Sequence, residues 1–234
     1  MKRLIALVLS LLILASATSA LAAGKISVVQ ENFYALNNYS DYGYAFAKVA
    51  NVGNKVIKIN AGILEVFDGE GDNLTSTDSL YSYAENLDPD EYTYVYMLAK
   101  LEDGQLEQVD DYLLTITGKS ETSYITKRLT VKDLDFQRNV QVNRYSTYDY
   151  AYFTVVNDTE ETIWNIRFVY ALLDDNDQIL YVDSDYIDSN KGLTPGSSVE
   201  VRESINNRFM TYFDEHDLVP TKVDVIAYVD IENK

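Results

Sequence analysis

Short runs of alternating apolar and polar residues fill most of the chain, and clusters of Asp, Asn, Gly and Pro interrupt them. A period of two marks a half-buried strand, because successive side chains point to opposite faces. KVAN (48–51) and TVVN (154–157) each close such a run on an asparagine suited to a turn. The apolar runs NAGILEVF (60–67) and IRFVYALL (166–173) follow. Each leads into an acidic turn, DGEGDN (68–73) or DDNDQ (174–178), and then into a second short strand. YTYVYM (92–97) and KVDVIAYVD (222–230) read as further strands, and NRFMTYFDEHDL (207–218) is the one helical segment. The pattern predicts an all-β protein.

One phrase occurs twice, as YSDYGYAF (39–46) and YSTYDYAY (145–152). Extended, residues 39–95 align with 145–201 without a gap at an offset of 106, with thirteen identities in 57 positions. Shared composition alone gives roughly three or four. Apolar positions meet apolar positions and turns meet turns. The chain is therefore expected to hold two tandem copies of one β-sandwich domain, residues 24–118 and 129–234. The polar stretch 119–128, entered from Gly118, reads as a linker and predicts halves that proteolysis separates.

LEVFDGEGDNL (64–74) and YALLDDNDQIL (170–180), each preceded by V-x-N and followed by L-x-P, resemble the FxLYD repeat. That family consists of small immunoglobulin-like sandwiches in exported bacterial proteins. The resemblance therefore implies two tandem immunoglobulin-like β-sandwiches and an exported protein. The name-giving motif is met by Leu64, Val66, Phe67 and Asp68 in copy one, and by Tyr170, Leu172, Leu173 and Asp174 in copy two. Aromatic and aliphatic positions are partly exchanged. The likeness covers most of both copies and transfers no catalytic residue.

Composition adds a destination. Residues 1–22 place Lys2 and Arg3 before an apolar run from Leu4 to Ala15 and a small-residue segment, the layout of a secretory signal peptide. Cleavage is expected after Ala22, with Ala20 as second choice. The apolar run is short of the about 20 residues that span a bilayer, so no stable membrane insertion is expected after its removal. The expected location is outside the cell or at the cell envelope. With no cysteine in the chain, each copy must rest on an apolar core instead of disulfides, and a bacterial source fits best. Without Lys2 and Arg3, 17 of the 19 basic side chains remain against 37 acidic ones, a formal charge of −20. Such a surface repels phosphate backbones, which argues against nucleic acid as a partner, and it favours solubility.

Candidate chemistry is sparse. His216 is the only histidine and lies between carboxylates in FDEHDL (213–218). One histidine and no cysteine exclude Cys–His catalysis and multi-histidine metal sites. No G-x-S-x-G elbow is present, and GKS (118–120) has Leu113 where a phosphate loop needs glycine. The carboxylates that a glycosidase pair would use cluster in turns, where solvation accounts for them. Asp68, Glu70 and Asp72 alternate like the start of a calcium loop, but Asn73 and Ser79 stand where that loop needs Gly and Glu. A hairpin turn accounts for them. No catalytic residue, metal site or cofactor is expected.

The remaining signal is aromatic. Tyr92, Tyr94 and Tyr96 align with Ser198, Glu200 and Arg202, while Thr93 and Val95 align with Val199 and Val201. A shared register puts Thr93 and Val95 on the core face and the three tyrosines outward. A flat aromatic row suits a protein or a cell-surface glycan. Tyr92, Tyr94 and Tyr96 are thus the candidate ligand-binding residues, unless a neighbouring strand or the other copy covers them. Trp164 aligns with Lys58 and is placed at a margin or between copies. The reading is a non-enzymatic module with a structural or protein-binding role. The alternatives are a carbohydrate-binding module using exposed tyrosines and a calcium-dependent adhesive or spacer protein.

Overall fold

The computed structural model describes residues 25–82, 85–120, 125–188 and 192–231. The expected signal peptide, 1–22, lies outside the described residues. The first half forms β1 (Ile26–Asn37), β2 (Asp41–Asn51), β3 (Ile57–Asp68), β4 (Asn73–Thr77), the short β5 (Leu80–Tyr81) and β6 (Asn86–Leu87), β7 (Tyr92–Lys100) and β8 (Val109–Ser120). The second forms β9 (Ile125–Asn143), β10 (Ser146–Val156), β11 (Ile166–Leu173), β12 (Ile179–Ile187), β13 (Ser198–Ser204), helix α1 (Asn207–Glu215) and β14 (Lys222–Ile231). The fold is all-β, with antiparallel sheets packed as sandwiches.

In the first half β1-β2-β7-β5 makes one sheet, while β3 carries β8 on one edge and β4 and β6 on the other. The second half repeats these pairings, β9-β10-β13 for β1-β2-β7 and β12-β11-β14 for β4-β3-β8. The long β9 pairs with β14 up to Leu129 and with β10 from Thr130 onward, so it joins both sheets of its half. Among the described residues, no strand of one half pairs with a strand of the other. Strand also occupies both ends of the interval read as a linker: β8 runs to Ser120 and β9 begins at Ile125. The alternation ITKRLTV (125–131) is itself a strand pattern, and Arg128 within it pairs with Glu91 at 3.1 Å.

The signatures shared by the copies have a common physical cause. Asn51 and Asn157 are fully buried at strand ends. Each amide donates to two carbonyls, of Lys55 and Leu87 at 2.8 and 2.9 Å in one copy, and of Glu161 and Leu193 at 2.8 and 2.7 Å in the other. Their side-chain oxygens accept the N–H of Gly53 and Thr159. The asparagine of V-x-N thus satisfies loop backbone that would otherwise be buried unpaired, and it ties that loop to the leucine of L-x-P. The acidic turns repeat too. Asp68 Oδ1 accepts from the N–H of Glu70 and Asp72, and Asp174 Oδ1 from the N–H of Asn176 and Gln178.

β2 is buried on both faces from Gly43 to Ala47. Ala45, Ala47 and Val49 pack into the first sandwich with Leu64, Val66, Val95 and Met97. Tyr44 and Phe46 point the other way, and with Tyr34, Leu36 and Tyr94 they join the core cluster of the second half. Phe209 of α1 packs edge-on against Tyr44, with ring centroids 4.8 Å apart, and Tyr181 of β12 meets Phe46 at 5.6 Å. One continuous aromatic core therefore spans both halves. Asn32 and Gln30 of β1 add hydrogen bonds to the carbonyls of Ile179 and Asp177, at 2.7 and 3.1 Å.

Candidate functional site

The register expected for β7 is present: Thr93, Val95 and Met97 are buried in the first sandwich, and Tyr92, Tyr94 and Tyr96 face away from it. The expectation of an open aromatic face is corrected, because the second half covers that face. Tyr94 is 1% exposed, and Tyr92 and Tyr96 are half-buried against the shared core. The hydroxyls of Tyr92 and Tyr94 both donate to Asp224 Oδ2, each at 2.8 Å. Burial, and then the Asp224 carboxylate, push the Tyr92 hydroxyl up to about 12 and that of Tyr94 further, so both remain donors. The Lys48 ammonium lies 3.7 Å from the centre of the Tyr92 ring, and Arg128 donates to the Tyr92 carbonyl. Tyr96 stacks on Tyr81 at 4.8 Å. These contacts make the row a joint between copies.

The other expected candidates are dispersed. The Asp68 and Asp174 carboxylates cap their own turns. His216 closes α1, with Nδ1 2.8 Å from the Tyr212 carbonyl and its ring stacked on Tyr212. Trp164 is 52% exposed and leans on Gly192, whose positive φ of 71° and lack of a side chain leave room for the indole. Among the described residues, no group of three or more His, Cys, Asp or Glu side chains is placed to hold a metal ion. Among the described residues, no helix is long and apolar enough to cross a membrane.

The structure instead assembles a polar cleft of about 220 Å³ between α1 and the β9–β10 hairpin. A β-bulge starts it. Tyr148 pairs with Val140 and Tyr150 with Gln137, so Arg138 and Asn139 together oppose Asp149, and Asn139 takes φ of 56°. Asp149 is 6% exposed, and its Oδ1 accepts the Asn139 N–H at 2.7 Å. Arg138 reaches across to the helix, donating from both terminal nitrogens to Asp214 at 2.7 and 2.9 Å, while its Nε stands 3.5 Å from Asp149 Oδ1. That forked donation holds the Asp214 carboxyl below the usual range. Helix α1 is fixed by the Asn206 side chain, which accepts the Arg208 N–H at its N-terminus. Phe209, Met210 and Phe213 anchor it in the core.

Copy one lacks the carboxylate on which this cleft is built. Gly43 is the counterpart of Asp149, and a side chain there would strike the Phe33 ring at 2.8 Å. Phe33 in turn stacks on Tyr112 at 4.6 Å. In the sequence this difference shows only as a glycine in one copy aligned with an aspartate in the other, and nothing there places Asp149 beside the helical segment.

No known protein family matches the chain, and no curated protein matches it. Among solved structures the chain is similar, at 11% identity and a TM-score of 0.20, to red sea bream transglutaminase, with 89% of this chain and 32% of that chain covered. The chain thus spans about a third of that enzyme's length.

Proposed function

We propose that this chain is an exported, non-enzymatic bacterial protein whose two immunoglobulin-like copies act as one rigid block in a structural or protein-binding role, at the cell envelope or outside the cell. The observation that carries the reading is the aromatic core shared by the copies, with Tyr94 buried on Asp224 at its margin. A joint of that size fixes the distance and angle between modules, which a spacer or scaffold needs and a flexible tether lacks. The signal-like residues 1–22 and the FxLYD resemblance support the export route and the module type. Calcium has less support, since the leading carboxylates of both acidic loops already accept their own turn's N–H groups. Fractionation of a producing bacterium, with N-terminal sequencing, tests the reading: a chain starting at Ala23 in the envelope or medium is expected. A cytoplasmic chain that begins at Met1 overturns it.

A further inference from the structure

We propose that the cleft between α1 and the β9–β10 hairpin binds a neutral, polyhydroxylated ligand, a single sugar unit of a glycan. The inference rests on the exported-module reading for its setting and on the cleft for its chemistry. Asp149 is nine-tenths buried, yet among the described residues only its Oδ1 has partners; Oδ2 has none. Around it stand Thr147, Asn139, Asn207 and Thr211, two hydroxyls and two amides with no side-chain hydrogen bond to the described protein. Each can donate and accept.

Charge decides between ligand classes. Arg138 lies between Asp149 and Asp214 and pairs with both carboxylates, and among the described residues no third carboxylate or histidine joins them to complete a metal site. Both terminal nitrogens of Arg138 are already committed to Asp214, which leaves an anion no forked donor. A hydroxyl donates to one neighbour and accepts from another, and that matches what remains. The volume of about 220 Å³ holds roughly seven waters at ~30 Å³ each, or one six-membered sugar ring.

Tyr145, 85% exposed, precedes Thr147 by two residues, and Tyr39, 91% exposed, lies 5.7 Å from the guanidinium of Arg208, the neighbour of Asn207. They hold the same position in the two copies. Tyr39 keeps its bulky side chain at φ of 63°, a conformation that favours glycine or asparagine. Aromatic faces of this kind stack on the flat sides of neighbouring sugar units.

The test is saturation-transfer NMR on the purified chain starting at Ala23, with methyl glycosides of glucose, galactose, mannose and N-acetylglucosamine as probes and calcium chloride and inorganic phosphate as competitors. At least one glycoside should bind at millimolar concentration and resist both competitors. Asp149→Asn, which keeps the shape, and Thr211→Val, on the exposed flank of α1, should each weaken it about tenfold, the size of one lost hydrogen bond to a charged or well-placed group. Tyr186→Ala, at the far end of β12, should leave it unchanged. If Asp149→Asn lowers the melting temperature, Thr211→Val decides alone. No signal from any glycoside, equal signal in a folded cleft variant, or displacement by calcium or phosphate overturns the assignment. Because the measurement uses purified protein, such a failure leaves the export reading to the fractionation experiment.

Discussion

β7 and β13 hold the same place in the repeat, yet their outward faces differ. On β7 the outward residues are Tyr92, Tyr94 and Tyr96, and they close against the second half. On β13 the outward residues are Ser198, Glu200, Arg202 and Ser204, all exposed. Arg202 lies over the Tyr150 ring at 4.7 Å, so even the aromatic row of β10 is edged by charge. The inward positions keep one sandwich pattern in both copies, while the outward positions record what lies next door. Copy one has the second half on that side, and in copy two the matching face is exposed among the described residues.

Separating the halves breaks this comparison most severely. Residues 25–120 alone would uncover Tyr34, Tyr44, Phe46 and Tyr94 together. Fully burying one such side chain is worth about 1.5–3 kcal/mol, against ~5–15 kcal/mol for the net stability of a whole domain. The isolated first half should melt far below the full chain and bind a hydrophobic dye. The full chain should show a single calorimetric transition. A first half that melts as it does in the intact protein would make the copies independent.

Single residues on the two outward faces come next. Tyr94→Ala should cost about 3–5 kcal/mol, the range for a large aromatic truncated in a core, and it removes a donor from Asp224. Glu200→Ala, the same position in copy two, should stay within about 0.5 kcal/mol. Urea melts of both variants, run side by side, measure the difference. Equal and small losses would mean that the joint contributes little.

What could be read in the sequence follows the same division. Features that each copy builds from itself were legible. β11 occupies the run read as 166–173, and the asparagines and aspartates at strand ends do the same work twice. The helix expected over 207–218 ends at Glu215, because His216 caps it and Asp217 turns left-handed at φ of 56°. Features that depend on a second body were not legible. Alternation showed that Tyr92, Tyr94 and Tyr96 point outward, but nothing periodic says what covers an outward face. The cleft escaped for another reason. It needs a one-residue bulge at Arg138 and Asn139, and strand patterns do not register a bulge until the pairing partner is known.

The buried asparagines sharpen the likeness between copies. Asn51→Ala and Asn157→Ala should each cost about 2–3 kcal/mol, because two carbonyls and one N–H lose a buried partner. The two sites share no hydrogen-bond partner. The double variant should therefore lose the sum of the single losses to within about 0.5 kcal/mol by urea melt. A much smaller loss in one copy would show that its loop finds water in place of the amide.

The smallest expected effect lies on the inward face, where copy two departs from copy one. Glu203 aligns with Met97, which is fully buried between the sheets of copy one. Glu203 is only half-buried, beside Asp183 and Asp185, where copy one has Thr77 and Ser79. Burial first, then the Asp185 and Asp183 carboxylates, push the Glu203 carboxyl up to about 7. Burial raises Asp183 as well. A carboxyl whose folded pKa exceeds its unfolded value holds its proton more tightly in the folded state. Its contribution to stability is full below about 4.5, the ordinary glutamate value, and is lost as pH rises through about 7. Glu203→Met should therefore raise the melting temperature more at pH 8 than at pH 5, since it removes the charge that pH 8 forces into the sheet interior. Glu203→Gln separates the two causes, removing charge while leaving volume and polarity nearly unchanged. If both variants shift the melting temperature equally at the two pH values, the carboxyl ionises freely in water, and the inward face of β13 is as open as its outward one.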